Sequence, residues 1–95
     1  MRRTSFAPTL PSVQSVVIYT LQGCPYCVRA KGLLDSKRSD YKEIDVTADR
    51  DARGLVCSLS GHRTFPQIFV GDAFIGGCDE LCALDRAGML DAMLA

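Results

Sequence analysis

Cys24-Pro25-Tyr26-Cys27 follows the apolar run Val16-Val17-Ile18-Tyr19 and opens a stretch of helical periodicity, which places two thiols at the mouth of a strand-to-helix turn. Cysteines at this spacing can close on each other as a disulfide, so the pair suits thiol–disulfide exchange with a partner molecule. The same spacing also serves as half of a zinc site, for which Cys78-x-x-x-Cys82 would be the other half. Proline within the first pair and an i, i+4 step along a predicted helix make poor zinc geometry. Exchange chemistry is therefore expected, and no metal is.

A thiol attacks a disulfide only as the thiolate, and an unperturbed cysteine is only about 3% ionised at neutral pH. Cys24, at the predicted helix N-cap, faces the positive end of the helix and the free amides of Tyr26 and Cys27, with Arg29 and Lys31 in the next turns. The dipole alone contributes ~0.3–1 kcal/mol, so direct hydrogen bonds must supply any larger preference for the thiolate. That preference does little for attack, because nucleophilicity falls with basicity at a Brønsted slope of ~0.4–0.5; it helps the sulfur leave when a second thiol arrives. Cys24 is the expected nucleophile. Cys27, one turn further in, is the expected resolving thiol, with a less exposed sulfur and a higher pKa.

The elements that must position this pair can be traced along the chain. Val16 to Thr20 is short, apolar and β-branched, and reads as a buried strand. Pro25 suits the first helical position because its missing N–H would be unpaired there anyway, and Cys27, Ala30, Leu33 and Leu34 recur at helical spacing. Tyr41 to Val46 alternates charged and apolar residues as a second strand, and Thr47 is expected to cap a helix from about Ala48 to Leu59, ended by Ser60-Gly61. Gln67 to Val70 and Ala73 to Ile75, joined by Gly71-Asp72, read as a hairpin. From Cys78 onward Leu81, Leu84, Met89, Leu90, Met93 and Leu94 mark one or two closing helices, with a break at Gly88. This order predicts an α/β, thioredoxin-like fold: a βαβ unit with parallel strands, extended by the hairpin into a four-stranded mixed sheet flanked by helices.

Composition narrows the class further. A chain of 95 residues with 47% hydrophobic content makes one small domain. Eleven basic and eleven acidic residues cancel, which gives no steer toward nucleic acid or an anionic membrane. No apolar run approaches the ~20 residues of a membrane span. The start of the chain carries Arg2, Arg3 and Phe6-Ala7-Pro8 without an acid; an organelle-targeting segment has that character, but a frayed tail over residues 1–14 is the expected reading. Five cysteines are an odd number, unlike the even set of a secreted disulfide scaffold, so a reducing, cytoplasmic setting is expected.

Three separated pieces then coincide: Cys24-Pro25-Tyr26-Cys27, Thr64-Phe65-Pro66-Gln67-Ile68-Phe69, and Ile75-Gly76-Gly77-Cys78-Asp79-Glu80-Leu81. In this order and separation they closely resemble a dithiol glutaredoxin of the small bacterial type, over a domain spanning residues 15–95. The resemblance implies a glutathione-dependent thiol–disulfide oxidoreductase that reduces protein disulfides and glutathione mixed disulfides. Its partners would be glutathione as reducing cosubstrate, glutathionylated or disulfide-bonded proteins, and a glutathione reductase that recycles the product. A monomer is implied.

The same resemblance implies a glutathione groove made by Tyr26, Thr64, Phe65, Pro66, Gly77, Cys78 and Asp79. Pro66 would be cis and face Cys24; lacking an N–H, it leaves the backbone of Phe65 free to pair with an extended peptide, as in strand addition. Thr64 would line the groove and Tyr26 wall it. The amides at Gly77 and Cys78 would hold the γ-glutamyl carboxylate at a helix start, while Asp79 would cap that helix and accept from the ligand's ammonium. The family usually has a lysine three residues before the first cysteine, for the glycine carboxylate of glutathione; here Leu21 stands in its place. Gln22, His62 or Arg63 is expected to substitute. His62 itself reads as a loop residue at the rim rather than a base, Cys57 as a buried apolar position, Cys78 as a helix-start support, and Cys82 as structural. The alternative function is an iron–sulfur carrier in which two subunits each give Cys24 and glutathione supplies the rest; Pro25 and Cys27 argue against it.

Overall fold

The computed structural model describes residues 15–94. The tail expected over residues 1–14 lies outside them. The order of elements is β1 (Val16–Thr20), α1 (Pro25–Ser36), β2 (Lys42–Asp45), α2 (Arg50–Ser60), β3 (Gln67–Val70), β4 (Ala73–Gly76), α3 (Cys78–Arg86) and α4 (Leu90–Leu94). The four strands form one sheet in the order β2-β1-β3-β4. β1 runs parallel to β2, with Ile18 opposite Glu43, and antiparallel to β3, with Ile18 opposite Ile68; β3 and β4 are the antiparallel hairpin. This is the predicted thioredoxin-like architecture.

Burial explains the order. The central strands alternate or run nearly solid in buried side chains, whereas edge strand β2 carries Lys42, Glu43 and Asp45 exposed, as a half-covered edge requires. Val16 and Ile18 of β1 share a core with Ile68 and Val70 of β3, Ala30 and Leu34 of α1, Cys78 and Leu81 of α3, and Leu90 of α4. α1 and α3 therefore pack together on one face of the sheet. Lys37 near the end of α1 bridges Asp85 at 2.7 Å and Asp91 at 2.9 Å, which fastens α3 and α4 to it.

The start of α2 moves from its expected place. The cap of α2 is Asp49, whose carboxylate accepts from the amide of Ala52 at 3.0 Å, and the helix starts at Arg50 rather than Ala48. The expected cap, Thr47, is used elsewhere: its hydroxyl accepts from the amide of Gln22, tying the loop before α1 to the one before α2. Gly61 ends α2 in the left-handed region, at φ 77°.

Candidate active site

Cys24 sits at the N-cap of α1 with extended backbone, and Pro25 follows as the first helical residue. From this position the amide of Cys27 donates to the Cys24 sulfur at 3.2 Å, one of the orphan donors that every helix start leaves open. The Cys24 thiol in turn donates to the carbonyl of Phe65 at 3.6 Å. Cys27 is only 2% exposed. Burial first, then its hydrogen bond to Cys24, pushes the Cys27 thiol up to about 12. The two sulfurs thus differ in kind: one is partly open to solvent and held by an amide, the other is buried and firmly protonated.

The Phe65–Pro66 peptide bond is cis, and it abuts the start of α3. A cleft of about 400 Å³ opens there, lined by Tyr26, Thr64, Phe65, Pro66, Gly77, Cys78 and Asp79 together with His62, Phe74 and Glu80. This volume lies within the usual range of ligand pockets, ~300–1,000 Å³. All seven residues singled out for the groove therefore come together. Tyr26 is half exposed at the wall, with the Arg29 guanidinium 5.8 Å from its ring centroid.

The helix start is built differently from expectation. Its N-cap is Gly77, and the carboxylate of Glu80, not Asp79, accepts from the Gly77 amide at 2.7 Å. Asp79 is left exposed beside the cleft. Gly76 has φ 121°, and a Cβ there would lie 2.6 Å from Cβ of Glu80, so only glycine fits the turn. A Cβ on Gly77 would come within 3.1 Å of the Pro66 carbonyl; the bare backbone keeps that wall open. Cys78 is buried, and burial, reinforced by Cys82 one turn on, raises its pKa.

Of the three groups expected to replace a lysine at Leu21, His62 borders the cleft, whereas Gln22 and Arg63 are exposed outside its lining. The His62 ring lies 4.9 Å from that of Phe74 and its Nδ1 is 3.2 Å from the Ser60 carbonyl. That carbonyl can only accept, so Nδ1 carries the proton and Nε2 is the free nitrogen. Cys57 is half-buried rather than fully enclosed, and its sulfur accepts from Gln67 at 3.7 Å. Sequence reasoning missed Phe74, Glu80 and Gln67. For Glu80 a signal existed, a glutamate three residues after the N-cap, where its carboxylate can reach back to the N-cap amide.

Among the described residues no three His, Cys, Asp or Glu side chains come together as metal ligands, and no helix is long and apolar enough to cross a membrane.

The family model for glutaredoxins matches residues 16–75. Glutaredoxin of Pseudomonas aeruginosa is 49% identical over 80 residues, 84% of this chain and 95% of that one. Glutaredoxin 3 of Escherichia coli is 46% identical over 80 residues, 84% and 96% of the two chains. The solution structure of glutaredoxin from Brucella melitensis superposes with a TM-score of 0.78 at 48% identity, over 88% of this chain and 92% of that one. The crystal structure of a buckwheat glutaredoxin–glutathione complex superposes at 0.79 with 32% identity, over 85% and 76%. With a strand-to-helix dithiol, a matching sheet and relatives of this similarity over most of its length, the chain belongs to the glutaredoxin family of thiol–disulfide oxidoreductases.

Proposed function

We propose that the protein uses glutathione to reduce protein disulfides and glutathione mixed disulfides, with Cys24 as nucleophile and Cys27 as resolving thiol. The observation that carries this reading is the placement of the Cys24 sulfur 3.6 Å from the carbonyl of Phe65, a residue that lines the cleft.

The cleft suits the tripeptide group by group. Phe65 offers backbone to an extended cysteinyl unit. The N-terminal amides of α3 suit a carboxylate, the exposed carboxylate of Asp79 suits the neighbouring ammonium, and Gly77 leaves room that a Cβ would fill. His62 is the one basic side chain among the lining residues; its free Nε2, once protonated, suits the second carboxylate in place of the family's lysine.

The Cys24 thiolate attacks a glutathionylated protein at the glutathione sulfur. The protein thiolate departs, and a glutathione–Cys24 disulfide forms. A second glutathione thiolate attacks that disulfide, forming oxidised glutathione and returning Cys24 as thiolate; glutathione reductase would recycle the product. With an intramolecular protein disulfide, Cys24 forms a mixed disulfide and Cys27, after losing its proton, displaces the substrate thiolate. The resulting Cys24–Cys27 disulfide is reduced by two glutathiones. The setting is a reducing cytoplasm, which the odd count of five cysteines favours over a secreted disulfide scaffold, and the protein acts as a monomer.

A coupled assay with glutathione, a small mixed disulfide and glutathione reductase tests the reading. Cys24→Ser is expected to abolish turnover, and Cys27→Ser to retain removal of glutathione from a glutathionylated peptide while losing reduction of protein disulfides. An active Cys24→Ser protein refutes the assignment. A brown chromophore after anaerobic purification, lost in Cys24→Ser, would favour the cluster-carrier alternative.

A further inference from the structure

Gln67 is the first residue of β3 and follows Pro66 directly. Its side chain is completely buried, an unusual place for an uncharged amide. Nε2 donates to the backbone carbonyl of His62 at 3.1 Å and approaches the Cys57 sulfur at 3.7 Å. Oε1 has no partner among the described residues. The orientation is fixed by chemistry, since a carbonyl can accept only from the NH2 end.

A buried amide satisfied at one end only is a poor core residue; a methionine or leucine would fill the space without an orphaned oxygen. What an apolar side chain cannot supply is the tie to His62. The segment between Gly61 and Pro66 carries His62, Thr64 and Phe65 to the cleft. Its start is held by Ser60, whose hydroxyl accepts from the His62 amide at 3.0 Å and has the carbonyls of Cys57 and His62, both at 3.4 Å, as acceptors for its single hydrogen. Gln67 grips the same carbonyl from the far end of the segment, inside the fold. The loop is thereby closed on itself through one oxygen.

We infer that Gln67 is a positioning residue for peptide-thiol binding, holding the His62–Phe65 loop through the His62 carbonyl so that the cleft wall is set before the ligand arrives. Gln67 touches neither reacting sulfur. Its loss therefore acts on recognition of glutathione and leaves the exchange chemistry of Cys24 intact. The inference rests on the cleft being a glutathione site.

The test is steady-state kinetics of full-length Gln67→Met. The KM for glutathione is expected to rise roughly two- to tenfold, the size of one lost hydrogen bond, with kcat at saturation retained. Turnover with β-mercaptoethanol as reductant, which has no peptide to place in the cleft, stays within about twofold of wild type; a general loosening of the fold would lower both. Gln67→Glu gives a second, independent reading. Its carboxyl can donate to the His62 carbonyl only when protonated, so the ratio of its KM to that of wild type rises with pH. An unchanged KM in folded Gln67→Met, or a flat ratio in Gln67→Glu, overturns the positioning role while wild type still turns over glutathione. A wild-type protein that does not use glutathione at all overturns both readings.

Discussion

Replacing Glu80 by alanine probes the joint on which the fold and the cleft both depend. Its carboxylate accepts from the Gly77 amide at 2.7 Å, satisfying a donor at the N-cap of α3. A hydrogen bond to a charged group is worth ~1.5–3 kcal/mol, and a negative charge at a helix start adds ~0.3–1 kcal/mol. Glu80 is exposed, so water replaces part of the lost bond and screens the charge. About 1–2 kcal/mol remains, within the range for removing an N-terminal cap. For a domain of this size 1 kcal/mol moves Tm by about 4–8 °C, so Glu80→Ala should melt about 4–16 °C below wild type. Glu80→Gln keeps an acceptor and gives up only the charge, about 0.3–1 kcal/mol, and should melt much closer to wild type. Circular-dichroism melts of the three proteins at pH 7 decide the matter. The reasoning fails if the alanine variant melts within 2 °C of wild type, or if the glutamine variant is as unstable as alanine.

Two further outcomes are expected. His62→Ala should raise the KM for glutathione roughly two- to fivefold, the worth of a solvent-exposed ion pair, and leave that for glutathione with its glycine carboxylate esterified unchanged; equal effects on both ligands would remove His62 from carboxylate recognition. The Cys27 thiol, raised from 9.0 to about 12 by burial and its bond to Cys24, holds its proton more firmly folded than unfolded. Its contribution to stability is complete below about pH 9 and fades as pH climbs toward about 12. In Cys24→Ser, where burial remains, alkylation of Cys27 by iodoacetamide should not approach its plateau until well above pH 9; half-maximal reactivity at or below that pH contradicts the burial argument.

The sheet and the dithiol turn were legible because local signals and tertiary structure agree there. β-branched residues in Val16–Thr20 form a central strand, and Pro25 sits where a helix start tolerates it. The misplacements fall where a long-range contact outbids a local one. Thr47 is a good cap by type, yet its hydroxyl is taken by Gln22, 25 residues away, and Asp49 caps instead. Asp79 and Glu80 are both acids in the first turn of α3, and which one reaches back is set by the Gly76–Gly77 backbone that Glu80 packs against. Gln67 is polar, and nothing in a four-residue strand marks it for burial; only the folded path of the loop before it reveals a carbonyl waiting inside. Phe74 reaches the cleft through the hairpin pairing with Phe69 and its stack on His62, neither of which periodicity in a four-residue strand can show.

The contact from the Cys24 thiol to the Phe65 carbonyl has a consequence for timing. A protonated sulfur occupies that oxygen with its hydrogen, whereas a sulfur that is ionised or joined to another sulfur has none to give. One of that oxygen's two lone pairs is therefore taken while the thiol idles and freed in each working state, when, in the proposed reaction, an incoming peptide N–H can claim it. Readiness of the sulfur and readiness of the docking edge rise together, through a single proton.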